Sequence, residues 1–347
     1  FTTGQYLLRS LRHHARSHIA VAIGVVVAAM VIGGALIVGD SVRDSLKSLS
    51  LSRLGQVDHA LVSHRFFREA SVVALSQHPE FQKRFAVAAP GLVFQASLER
   101  RGSPSGAEAA SRTRSAGVSL YGTDERLWSL LVTAGVARPT AAGVVLSSGL
   151  AEQLRARVGD DVTVWVEIPA TIPRDSLLGG KEEQATQEVR LKVEAVLPAS
   201  AGAGRFDLQP SQQFPKVAFV NLQALQKELN LEEVERSRRN PQAKPARVNA
   251  LFVSARKPHD GQSESAGEAS KSLTLALRDS VTLDDFHWRI VPNTERGYLS
   301  LESERMILED SVAQSAEAIA EKLGLSSSPV LAYLVNLIRR DGDPNTK

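Results

Sequence analysis

The sequence predicts an α+β protein with one N-terminal transmembrane helix followed by a mixed α/β domain outside the membrane. Three observations predict it. An uncharged run of 20 apolar residues lies near the start. Beyond residue 56, short apolar or alternating stretches are bounded by Gly and Pro, as strands are. Between them lie stretches with apolar residues at helical spacing.

The apolar run is Ile19–Val38. At about 1.5 Å per residue it reaches roughly 30 Å, the thickness of a bilayer core. A soluble helix would keep a polar face, and this run has none. A cleavable leader would have an apolar part of about 7–15 residues. Here the run is longer and passes into Gly39-Asp40-Ser41, so it reads as a retained anchor. Arg9, Arg12 and Arg16, with His13, His14 and His18, precede it without an acidic residue; Asp40 and Asp44 mix with Arg43 and Lys47 beyond it. Basic flanks stay on the cytoplasmic side, which places the N-terminus in the cytoplasm and the rest outside the inner membrane.

Arg9, Arg12 and Arg16 are the expected cytoplasmic anchor, and Tyr6, Leu7 and Leu11 can share the apolar face of a short helix on the membrane surface. The histidines, crowded among arginines, read as juxtamembrane polar groups rather than metal ligands. Gly24, Gly33, Gly34 and Gly39 are the expected packing positions, because small residues let membrane helices approach closely. The helical pattern then runs on as a stalk with the stripe Val42, Leu46, Leu49 and Arg53 and with Asp40, Arg43 and Asp44 on its surface; Gly55 breaks it.

Composition narrows the function. Aromatic residues make up 5% and the net charge is +3, with no basic run interleaved with rings, so nucleic acid is not an expected partner. The absence of cysteine excludes disulfides and thiol chemistry.

Strands are predicted at Val57–Val62, Phe85–Leu98 (interrupted at Pro90-Gly91), Val118–Tyr121, a short run from Gly143, Val162–Glu167, Glu188–Leu197, Lys216–Asn221, Val248–Ser254 and Trp288–Val291. Helices are predicted at Arg68–Ser76, after a cap at Ser147 or Ser148, at Leu222–Leu229, Leu273–Arg278 and Ser303–Leu323. Strands 162–167 and 188–197 both alternate and should pair. Arg101–Ser115 reads as an exposed hairpin tip or loop, and Pro329–Ile338 as a strand too short to cross a bilayer.

No catalytic constellation is visible. Gly179-Gly180-Lys181 lacks the upstream glycine of a phosphate loop, and Gly202-Ala-Gly204 reads as a flexible loop. Asp284, Asp285 and His287 read as a solvated turn, and Glu302, Glu304, Glu309 and Asp310 as the exposed face of the last helix. No catalytic, cofactor or metal residue is expected.

Several stretches in order resemble one family. Leu7-Leu8-Arg9-Ser10-Leu11-Arg12 leads into the span, which ends Gly34-Ala-Leu-Ile-Val-Gly39-Asp40-Ser41-Val42-Arg43-Asp44-Ser45-Leu46. Behind it come Val-Val-Leu-Ser-Ser-Gly-Leu-Ala-Glu-Gln-Leu (144–154), Val-Gly-Asp-Asp-Val-Thr-Val (158–164), Leu-Lys-Val-Glu-Ala-Val-Leu-Pro (191–198) and Ala-Phe-Val-Asn-Leu-Gln-Ala-Leu-Gln (218–226). Together these resemble ABC transporter permeases of the MacB/FtsX type over about residues 1–330.

The resemblance implies a porter-like domain with an inserted β-rich lobe, divided as follows: a juxtamembrane segment 1–18, the span 19–38, a stalk 39–56, porter-like parts 57–138 and 231–300, the lobe 139–230, and a final segment 301–347 with a long helix. It also implies a separate ABC ATP-binding subunit that hydrolyses ATP, a homodimer or permease heterodimer in contact with membrane lipid, and a periplasmic adaptor or outer-membrane partner. The family has at least three further spans, so the chain is expected to be the N-terminal part of a permease for export or lipoprotein transport. The alternative is a single-span periplasmic sensor or interaction protein.

Overall fold

The computed structural model describes residues 3–100, 113–131, 135–168, 186–199, 202–208, 214–237, 243–256, 266–303, 308 and 310–330. Two helices open the chain, α1 (Thr3–His13) and α2 (Ala15–Arg53). The domain follows in the order β1 (His59–Arg68), α3 (Glu69–Gln77), α4 (Pro79–Arg84), β2 (Phe85–Arg100), β3 (Thr113–Thr123), α5 (Glu125–Leu131), β4 (Gly143–Ser147), α6 (Ser148–Leu154), β5 (Asp161–Glu167), β6 (Thr186–Leu197), β7 (Val217–Asn221), α7 (Leu222–Glu228), β8 (Arg247–Ala255), α8 (Ala266–Ser280), β9 (Trp288–Asn293), β10 (Tyr298–Ser303) and α9 (Asp310–Lys322).

Eight strands form one sheet in the order β1-β8-β2-β3-β7-β4-β6-β5, while β9 and β10 form a hairpin of their own. The long strand β2 organises the sheet. Along one edge it pairs with β8 from Phe85 to Gly91 and then with β5 from Ala96 to Arg100; β3 lies along the other edge from Gly91 onward. The β2–β5 pairing closes β2, β3, β7, β4, β6 and β5 into a ring, a small barrel from which β8 and β1 extend. Closure removes exposed strand edges from that part of the sheet. Segment 139–230 supplies β4 to β7, which share this one sheet with β1, β2, β3 and β8.

Strands buried on both faces explain the continuous apolar runs. In β7, Ala218 and Val220 enter one core cluster while Val217 and Phe219 enter the other. The first cluster fills the barrel with Leu98, Leu120, Leu146, Val164 and Val193 and extends under α3, α6 and α7 through Leu75, Leu154 and Leu225. The second is aromatic: Tyr121 meets Phe206 at 5.0 Å and Phe219 at 5.6 Å between ring centres, and Trp128 meets Phe219 at 5.6 Å.

The expected pairing of the two alternating strands is present, with Val162 opposite Leu191 and Val164 opposite Val189. Arg100 opposes Thr113, so β2 and β3 are a hairpin whose tip, 101–112, lies outside the described residues. Several expectations are corrected. The strand does not stop at Pro90, because β3 begins pairing only at Gly91 and proline's missing N–H has a ladder on one side alone. The Ser147 hydroxyl does not cap α6; it accepts from the Val217 N–H (3.1 Å) and donates to the Pro215 carbonyl (3.3 Å), tying β4 to β7. Gly202–Arg205 is a 3₁₀ turn with Ala203 buried in the aromatic cluster, not a flexible loop. Tyr298–Ser303 is a strand that the sequence reading lacks, and Glu302 belongs to it, bonded to Arg289 at 2.8–2.9 Å. The last helix is shorter than Ser303–Leu323. Glu304, Glu309, the Gly179–Lys181 stretch and residues 331–338 of the expected final strand lie outside the described residues.

Candidate functional site: the long apolar helix and its junction with the domain

The feature that dominates the molecule is α2, 39 residues long and continuous from the basic flank through the apolar run into the stalk. At 1.5 Å per residue it extends about 58 Å, roughly twice a bilayer core. Its apolar stretch is exposed on every side, including Ile19, Val26, Met30 and Ile37, and none of its most apolar window is buried. A core helix would be covered. This helix is long and apolar enough to cross a membrane.

Gly24, Gly33, Gly34 and Gly39 all lie on α2, and a side chain at any of them would meet nothing within 4 Å. At 100° per residue their spacings distribute them around the helix, so the structure does not gather them on one stripe. Arg9 and Arg12 lie on α1 and Arg16 on α2, all exposed. Between them His14 leaves the helical conformation at φ −99° and ψ 20°. Asp40, Arg43 and Asp44 are exposed on the stalk, where Ser41, Asp44, Ser45, Ser48 and Ser52 make one polar face. Of the predicted stalk stripe, Val42, Leu46 and Leu49 are exposed and Arg53 is buried, because only Arg53 reaches the domain.

The junction is tight. The Leu54 N–H donates to the Leu51 carbonyl (3.1 Å) as α2 ends, and the Val57 N–H donates back to Leu54 (3.1 Å). Gly55 turns the chain at φ +63°, in the left-handed region, where a Cβ would lie 2.8 Å from the Leu130 carbonyl oxygen. That oxygen instead accepts from the Gln56 N–H at 3.0 Å. The Asp58 N–H donates to Val253 on β8 (2.9 Å), and the Asp58 carboxylate accepts from the Ala255 N–H (2.7 Å). Leu54 and Val57 pack on the aromatic cluster, and the end of α2 touches the 3₁₀ turn at 202–205. Displacing α2 therefore loads β8, α5 and the aromatic core directly.

A second set of polar contacts closes the other flank. Arg68, at the end of β1, grips Asp285 with Nε to Oδ1 at 3.0 Å and Nη2 to Oδ2 at 2.9 Å, and its backbone N–H donates to Oδ1 at 3.0 Å. The Thr282 N–H donates to Oδ2 at 2.7 Å. Burial pushes the Asp285 carboxyl up, but the bonds from Arg68 and the backbone N–H groups of Thr282 and Arg68 outweigh it and hold the group below its ordinary range. Arg247 donates to the Asp284 carbonyl at 3.1 Å, and His287 Nε2 lies 2.9 Å from the Phe66 carbonyl. Asp284, Asp285 and His287 thus face two arginines, which is a structural clasp. The described residues contain no group of three potential ligands placed to hold a metal.

The sequence reading missed Arg68, Leu130 and Arg247. Arg68 and Asp285 are 217 residues apart, so no local pattern signals their pairing. The Gly55 turn was visible as a helix stop; its carbonyl contact was not.

No family model matches the chain, and no curated protein matches it. Among solved structures, a domain described as that of a permease protein from Porphyromonas gingivalis has a TM-score of 0.31 at 11% identity, over 75% of this chain and 86% of that one. A similarity of that size transfers neither fold nor function.

Proposed function

We propose that the chain is the N-terminal part of a membrane permease subunit of the MacB/FtsX type, with α2 crossing the inner membrane and the barrel domain outside the cytoplasm. In this reading an ATP-binding partner subunit moves the cytoplasmic end of α2, and the helix passes that movement to the domain. The observation that carries it is the unbroken helix from the apolar run to Arg53, joined to the domain without slack at Gly55. A helix resists bending over a few turns, and no proline interrupts this one. The motif order along 144–226 and the basic flank at Arg9, Arg12 and Arg16 support the same reading.

The test is a flexible Gly/Ser insertion between Leu54 and Gly55 in the full-length protein, reconstituted with its ATP-binding subunit. Nucleotide binding by the partner should be unchanged, while transport per ATP hydrolysed falls at least tenfold. Undiminished transport would overturn force transmission through α2 and leave a tethered extracytoplasmic binding domain. Phosphatase fusions after Gly55 check the orientation: activity only on export is expected, and cytoplasmic activity would reverse the topology.

A further inference from the structure

We infer that two copies of the chain pair in parallel along one face of α2. This rests on the reading of α2 as a membrane helix and adds to it a partner and the residues that meet it. At about 100° per residue, Gly24, Ala28, Val31, Ala35 and Gly39 follow one another in steps of three or four and stay on one side of the helix. Val42, Leu46 and Leu49 continue the same line into the stalk, and the whole series lies within about 80° of the circumference. Gly33 and Gly34 lie elsewhere around the helix. The line is open. Val31 is 67% exposed, Val42 54%, Leu46 41% and Leu49 39%, and a side chain at Gly24 or Gly39 would meet nothing within 4 Å. The next position along it, Arg53, is buried where α2 meets the domain.

The face changes character where the apolar run ends. Up to Gly39 it is made mostly of small residues, which let two helices approach closely in lipid, where apolarity alone gives no drive to associate. Beyond Gly39 it is aliphatic, on a stalk whose other positions from Asp40 to Ser52 are charged or serine except Leu51. In water such a stripe is stabilised by burial. A partner that covers the whole face must therefore switch from small to aliphatic contacts at the same height. A second copy does so by symmetry. Inserted in the same direction, it places each residue at the depth of its own counterpart, so the contact is isologous and in register. The flanks agree with this. Arg43 and Ser50 border the face on one side and Ser45 and Ser52 on the other, and in a parallel pair each border lies against the opposite border of the partner. The two Arg43 side chains are thereby kept on opposite sides of the pair, while Asp40, Asp44 and Lys47 lie on the far side of each helix.

Because the chain has no cysteine, single cysteines placed in the full-length protein report the pairing directly in inner-membrane vesicles. Two cysteines bridge only when their Cα atoms come within about 7 Å. Under copper-phenanthroline oxidation, Val42→Cys, Leu46→Cys and Leu49→Cys should each form a covalent homodimer on the order of tenfold faster than Asp40→Cys, Asp44→Cys and Lys47→Cys on the far side. A preference for the far side, equal rates at the six positions, or no homodimer at any of them would overturn the inference; the face would then be left to a helix of different sequence. Alkaline carbonate extraction separates the two readings. Release of the wild-type chain from membranes overturns the membrane placement of α2, and with it the pairing. A chain that stays in the membrane without the expected pattern of bridges overturns the pairing alone.

Discussion

The two ends of the domain are attached in opposite ways. At the N-terminal side, α2 enters through backbone bonds to Leu130 and Val253 and rests on buried rings, with Val57 only 5% exposed. At the C-terminal side, β9 and β10 stand apart from the main sheet, with Ile290, Val291, Tyr298 and Leu299 exposed, and α9 has no buried residue. A two-stranded hairpin is marginal alone in water, so its attachment depends on the Arg68–Asp285 clasp below it. One end is built into the cooperative core. The other is held by the polar contacts of Arg68 and Arg247 and by the stacking of Trp288 on Phe286 at 5.0 Å. Such a division allows a domain to be driven rigidly from one side while the other side opens locally at small cost.

The largest expected effect lies in the core beneath the junction. Phe219 is fully buried between Tyr121 and Trp128. Phe219→Ala should cost about 3–5 kcal/mol through lost contacts and the cavity left behind. Thermal unfolding should show the loss in one transition that includes the junction. A loss below 1 kcal/mol would mean that the aromatic cluster does not bear the load assigned to it.

The clasp should give a smaller, local effect. Asp285→Asn removes a buried charge from Arg68 while keeping the side-chain shape, and about 2 kcal/mol is expected for a charge-assisted bond of this kind. Amide exchange should rise in β9 and β10 while the barrel strands stay protected; equal loosening of the barrel would erase the contrast between the two ends. Acid should reproduce the variant. Because the folded carboxyl titrates below its unfolded value, its contribution is complete above the unfolded pKa of about 3.9 and is lost as pH falls through the folded one. Hairpin protection in the wild type should therefore fall on acidification below about pH 4, and Asp285→Asn should abolish that dependence.

How far these features are legible in the sequence follows from their range. The apolar helix is written in twenty consecutive residues, and the β5–β6 pair in two alternating stretches close together in the sequence. The ring closure depends on Ala96–Arg100 meeting Val162–Val166, and nothing in the apolar pattern of β2 tells which strand occupies its second edge. The clasp is harder still, since Asp284-Asp285 before an aromatic strand has the composition of any solvated turn. Only the distant Arg68 makes Asp285 structural. The junction was half legible: Gly55 marks the end of a helix, but the reason that only glycine fits is a carbonyl on α5.

The smallest effect is expected on the hairpin surface, and it sharpens the comparison most. Leu299 is 62% exposed, so the isolated chain gains little from it, and substitutions at such positions usually stay within about 0.5 kcal/mol. Leu299→Ser should leave thermal unfolding and hairpin exchange unchanged, in contrast to Asp285→Asn one layer below. Leu299 and its cross-strand partner Pro292 are both exposed, so no hidden packing should appear when the side chain is shortened. A loss above 1 kcal/mol would show that the hairpin packs against something in solution, and the C-terminal end would then have to be counted with the core rather than against it.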